Sequence, residues 1–172
     1  MRRAYTGFTL IELMTALTVL AVLFAMAVPS FRAFTSNNRV TAAHNDLLTA
    51  FTVARSEALK RATPVTVCAS ADGATCAGAT DWAVGWIVFV DDSGVAGQLD
   101  ATDLLLQAWP GAGGDLTLRG SAGFVQYTAT GRVSPAAAAS FDAYFAGCTG
   151  KKVRRLGVSP IGALTGTSQA CP

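Results

Sequence analysis

The residues with the plainest covalent chemistry in this sequence are its four cysteines, Cys68, Cys76, Cys148 and Cys171. An even set in an oxidising compartment reads as two disulfides, and four cysteines allow three connectivities. Cys68–Cys76 with Cys148–Cys171 is the favoured pairing, because each bridge then closes a local loop. The other two connectivities stay open on sequence alone. In the chain-entropy picture a closed loop of about 15 residues contributes roughly 3 kcal/mol. A zinc site would need a tighter ligand pattern. No Cys-x-x-Cys occurs and His44 is the only histidine, so no metal is expected.

Asp91, Asp92, Asp100 and Asp103 share one glycine-containing segment. Carboxylate oxygens suit calcium, but the spacing is not that of an EF-hand loop, and a solvated surface loop is expected. His44 has no nucleophile beside it and reads as a helix-surface residue. There is no Gly-x-Ser-x-Gly, no phosphate loop and no histidine-based triad. A non-enzymatic protein without cofactors is expected. Lys151, Lys152, Arg154 and Arg155 form the dense basic cluster of the later chain. Clustered cations can neutralise phosphates, which makes these four the candidate DNA contacts. The plainer reading is a solvated strand whose charges discourage edge-to-edge pairing. No aromatic residue flanks the cluster to stack on bases.

Glu12 is the only charge between Phe8 and Val28, a run of 21 residues of which 17 are apolar. As a helix that run spans roughly 30 Å, the thickness of a bilayer core. An acid at the centre of such a span costs about 2.5–3.5 kcal/mol even on the lenient insertion scale, and less near the end. A lone acid there asks for a partner. Arg2 and Arg3 precede the run, and Pro29 and Arg32 follow it. Cations before the span and a polar body after it place the N-terminus in the cytoplasm and the body outside. A secretory signal peptide fits poorly. The run exceeds the apolar core of such peptides, and Pro29 lies too close to Ala25-Met26-Ala27 for that triplet to be cut.

The heptapeptide Gly7-Phe8-Thr9-Leu10-Ile11-Glu12-Leu13 resembles the class III signal of type IV pilins and type II secretion pseudopilins. The resemblance implies cleavage between Gly7 and Phe8 by a prepilin peptidase, then methylation of the new Phe8 amino group. It also implies that Glu12 pairs with the Phe8 amine of a neighbouring subunit during assembly. An acid and an ammonium, each costly alone in lipid, are less costly together.

The elements that must carry these residues follow from periodicity. Val40, Ala43, Leu47, Phe51, Ala54 and Ala58 recur at helical steps, and Glu57 precedes Arg61 by four residues. A helix is therefore expected from Phe8 to Arg61, stopped by Thr63-Pro64. Beyond it, strands are expected at Val65–Ala69, Val84–Asp91, Leu104–Trp109, Leu116–Arg119, Phe124–Thr130, Ser140–Ala146 and Val153–Ser159. Trp86 to Val90 is apolar on both faces and reads as a central strand. The order is α+β. The expected divisions are a leader over 1–7, a membrane and assembly span over 8–28, an amphipathic continuation over 29–63 and a β-rich domain over 64–172.

The body resembles the GspH/FimT/FimU branch of the pilin family. The residues that carry this are Ala54-Arg55-Ser56-Glu57-Ala58-Leu59-Lys60-Arg61, Val65-Thr66-Val67-Cys68, Asp81-Trp82 and Gly85-Trp86-Ile87-Val88-Phe89, with Arg155-Leu156-Gly157-Val158-Ser159-Pro160 further on. The resemblance implies a type IV pilin-like fold, with a long N-terminal helix packed on an antiparallel β-sheet domain. It implies a minor pilin that is processed by prepilin peptidase and joins or primes a type IV pilus. The alternatives are a minor pseudopilin of type II secretion and a DNA-binding pilin for natural transformation. Expected partners are other pilin subunits, the peptidase and the inner membrane, with the globular part in the periplasm before it joins the filament. DNA-uptake members carry a Gly-Arg-x-Arg signature. Here Gly131-Arg132-Val133-Ser134 has one arginine, and Gly162-Ala163-Leu164-Thr165 has none.

Composition agrees. Charged residues are 14% of the 172, hydrophobic ones 51%, mean hydropathy +0.40 and net charge +2. Such a chain is too apolar to be disordered and too neutral for bulk nucleic-acid binding. Removing Arg2 and Arg3 leaves 11 cations against 11 anions, so the positive charge belongs to the leader.

Overall fold

The computed structural model describes residues 7, 9–91, 94–150 and 152–172. The chain forms two compact units, Met1–Thr35 and Ser36–Pro172. One helix, α1 (Leu10–Arg61, 52 residues), contributes to both and includes Pro29. Nine strands follow: β1 (Val65–Ala69), β2 (Gly85–Val90), β3 (Leu104–Pro110), β4 (Leu116–Gly120), β5 (Phe124–Tyr127), β6 (Val133–Ser134), β7 (Ala139–Phe145), β8 (Val153–Val158) and β9 (Leu164–Gln169).

In the first unit the described apolar side chains of α1 are solvent-exposed. The 18-residue stretch Leu10–Ala27 has a mean hydropathy of 2.3, and none of it is buried. It is the one described helix long and apolar enough to cross a membrane. Its threonines do not break that character. Thr15 and Thr18 donate their hydroxyls to the carbonyls of Glu12 (3.0 Å) and Thr15 (2.8 Å), so neither group is left unsatisfied in an apolar surrounding.

In the second unit α1 lays one stripe on the β domain. Val40, Ala43, Leu47, Ala50, Phe51, Ala54 and Ala58 are all buried. This is the expected helical stripe with Ala50 added. Glu57 bonds Arg61 at 2.6 Å, and Lys60 and Arg61 end the helix with charges that suit its dipole. The helix stops at Ala62, whose φ is +54°, so the chain leaves through a left-handed residue before Thr63-Pro64.

The strands form two antiparallel sheets, ordered β3-β2-β1-β5-β6 and β4-β7-β8-β9. β2 is buried throughout and is flanked by β1 and β3, the position expected of a strand apolar on both faces. Alternation explains it. Val65, Val67, Ala69, Trp86, Val88 and Val90 belong to the main core with the helix stripe. Cys68, Ile87 and Phe89 point the other way and form a smaller core with Cys76, Leu99 and Phe124.

Two strands were not expected. β6 is only two residues long, and β9 reads Leu-Thr-Gly-Thr-Ser-Gln, too polar for the pattern of a half-buried strand. β9 exists because β8 pairs with it over six residues. Other boundaries move slightly. The strand expected at Phe124–Thr130 ends at Tyr127, because Thr128 and Arg132 bond across a turn with Gly131 at φ +72°.

Candidate functional site

At the start of α1, Thr9 and Glu12 bond reciprocally. The Glu12 backbone N–H donates to Thr9 Oγ1 at 3.3 Å. In return, Glu12 Oε2 accepts from the Thr9 hydroxyl (3.3 Å) and backbone N–H (3.4 Å). This is a capping box, in which the first and fourth residues of Thr-x-x-Glu satisfy the donors that a helix start leaves open. The Thr9–Glu12 spacing carried that signal in the sequence, but the capping role was not read from it. Glu12 therefore has two roles open to it, closing its own helix and meeting a cation from outside. Gly7 is exposed, while Phe8 lies outside the described residues.

The cysteines bridge as Cys68–Cys76 and Cys148–Cys171, each with Cα atoms 6.0 Å apart or less. The first ties the 70–80 loop to β1 within the smaller core. The second fastens the segment after β9 to the turn after β7, where the Cys171 N–H also donates to the Gly150 carbonyl.

The basic cluster is divided. Adjacent residues of a strand face opposite ways, and the four do not form one described patch. Arg155 is held by Asp142 of β7 through two 2.6 Å bonds, which keep the guanidinium pKa raised. Arg154 points to the other face and donates to Ser168 Oγ at 3.2 Å. Lys152 is half-buried, and Lys151 lies outside the described residues.

Two residues depart from expectation. His44 is not a free surface residue. It is half-buried against β9, with its pKa lowered first by burial and then by the charge of Arg154. Asp91 is not in a solvated loop. It is buried, and its Oδ2 accepts from the Thr66 hydroxyl (2.6 Å), the Gly97 N–H (2.9 Å) and Gln126 Nε2 (2.9 Å). It fastens the segment after β2 to β1 and β5. Asp92 lies outside the described residues. Among the described residues no cluster of three metal-ligating side chains forms.

Arg55 is a residue that sequence reasoning passed over. From α1 it donates to the carbonyls of Gly131 (3.1 Å) and Ile161 (3.2 Å), so one side chain holds two loops at the end of the helix. A Cβ on Gly162 would come within 2.2 Å of the Gly131 carbonyl oxygen, so this junction has no room for a larger residue.

Residues 43–162 match the family described as type II transport protein GspH. Residues 2–28 match the prokaryotic N-terminal methylation motif. Among curated proteins none matches this chain. Two crystal structures of the type IV minor pilin FimU from Pseudomonas aeruginosa share the fold. One is 24% identical with a TM-score of 0.60, covering 81% of this chain and 92% of that one. The other is 22% identical with a TM-score of 0.59, covering 77% and 99%.

Proposed function

The chain belongs to the GspH family, and from that premise we propose that it is a minor pilin, a structural and non-catalytic subunit that joins or primes a type IV pilus. The observation that carries this is the N-terminal methylation motif on a helix whose apolar stretch Leu10–Ala27 is bare. Residues 1–7 are the leader, removed between Gly7 and Phe8 by prepilin peptidase, and the Phe8 amine is then methylated. Residues 8–28 hold the subunit in the inner membrane, with the domain formed by 64–172 in the periplasm and 29–63 leading to it. On assembly the apolar run moves from lipid to the helices of neighbouring subunits. One apolar surrounding replaces another, so the exchange has little net cost. The selective term is then Glu12. Its carboxylate leaves Thr9 and accepts from the Phe8 ammonium of a neighbour, each charge relieving the other's burial.

A second reading is a minor pseudopilin of a type II secretion filament, and the description of the matching family favours it. Both readings use the same helix chemistry. Direct DNA contact through Lys151, Lys152, Arg154 and Arg155 gains no support from the pairing of Arg155 with Asp142.

Intact-mass analysis of membrane-extracted protein tests the processing. Loss of residues 1–7 and one added methyl group are expected, and residues 1–7 retained in filaments would refute it. Glu12→Ala is expected to be cleaved normally yet to enter filaments poorly. Assembly at the normal level would contradict the charge-pair role.

A further inference from the structure

Between the globular half of α1 and the edge of the second sheet lies a polar crevice of about 270 Å³. Thr41, His44 and Asn45 line it from α1, Arg154 from β8, and Thr167 and Ser168 from β9. Their chemistry is one-sided. A guanidinium, an imidazole, an amide and three hydroxyl-bearing residues line the space, and no carboxylate does. The ring packs against β9: a Cβ on Gly166 would lie 3.5 Å from His44 Nε2, an ordinary contact distance.

The two neighbouring arginines of β8 differ sharply here. Arg155 has a carboxylate on both arms of its fork. Arg154 donates to one hydroxyl, and among the described residues it forms no ion pair. A guanidinium carries five N–H donors arranged to match an oxyanion. In this crevice most of them are unspent.

We propose that the crevice binds an oxyanion, a carboxylate or phosphate group, with the Arg154 guanidinium as its main contact and His44 and the Ser168 hydroxyl beside it. The anion supplies the charge that Asp142 supplies to Arg155. It also favours protonation of His44, which faces Arg154 and no described acid. Two sources share this chemistry: an acidic side chain of a neighbouring subunit, and a free inorganic anion.

His44 is the only histidine, so its ring gives a single NMR reporter. The test uses the full chain in detergent micelles, labelled at histidine, and titrated with sodium acetate or sodium phosphate at ionic strength held constant with chloride. Saturable shifts of the His44 resonances and a raised His44 pKa are expected with at least one anion. Arg154→Gln is expected to weaken that response by about tenfold or more, whereas Lys152→Gln leaves it within about twofold. Acetate saturating at the lower concentration points to a protein carboxylate, and phosphate doing so points to a free anion. Absence of a saturable shift with both anions would overturn the site. So would an unchanged response in Arg154→Gln, provided the variant keeps the wild-type backbone spectrum away from β8 and β9.

Discussion

Single residues here carry more than their types announce. Asp91 and His44 are both polar residues that the fold turns inward, by opposite means. Asp91 is buried with three donors on one oxygen, so its Oδ2 is satisfied by hydrogen bonds. His44 is compensated by staying neutral. Burial and the Arg154 charge hold its pKa below the ordinary 6.5. The unfolded chain then takes up the proton first, and stability rises with pH where that holds. The His44 contribution is fully present above 6.5 and is lost as pH falls through that value toward the lower folded pKa. Stability measured by denaturant unfolding is therefore expected to fall between about pH 7.5 and pH 5.5. The fall should be smaller in His44→Gln. An equal fall in the two proteins would mean that other groups set the slope. Neither role was legible in sequence, since a lone Asp or His carries no mark of the strand that will cover it.

At the scale of elements, the helix was the most legible part. Its stripe from Val40 to Ala58 repeats every three or four residues, and the same residues are buried. Its stop was read from Thr63-Pro64, while the stopping conformation belongs to Ala62. A left-handed alanine is strained by roughly 1–2 kcal/mol, partly offset in glycine by greater freedom of the unfolded chain. Ala62→Gly is accordingly expected to stabilise the domain by about 0.5 kcal/mol, a small rise in Tm. A drop of similar size would show that the alanine side chain makes contacts worth more than the strain. Strands with period-two or all-apolar patterns were also legible, as at β2 and β7. β6 and β9 were not, because their residues have no strong preference of their own and pairing with a neighbour decides them.

For the whole molecule, the globular unit is organised around Phe51. Its ring lies 6.1 Å from that of Trp82, 6.5 Å from Tyr127 of β5 in the first sheet and 5.0 Å from Phe141 of β7 in the second. One helix side chain thus touches aromatic rings of both sheets. Phe51→Ala is expected to cost about 3–5 kcal/mol, because the cavity would open where three layers meet. A loss under about 1 kcal/mol would show that the sheets hold together without the helix ring. Among its described residues the first unit has no such core. Its apolar residues await partners outside the chain, lipid first and neighbouring subunits afterwards in the reading proposed here.

What could be read from the residues alone is what local chemistry decides. An apolar run long enough for a bilayer, a lone acid near its start, a helical stripe and cysteines spaced for local loops each act over a few neighbouring residues. They led to the family, the α+β order and the processing motif. The tertiary structure alone decided which distant groups meet. It set Arg154 beside His44 and Ser168 while giving Arg155 to Asp142, though the two arginines are neighbours in sequence. The physical reason is the pleat. Successive strand residues face opposite sides, so what each meets is fixed by the strands and helix packed there, not by the residue next to it.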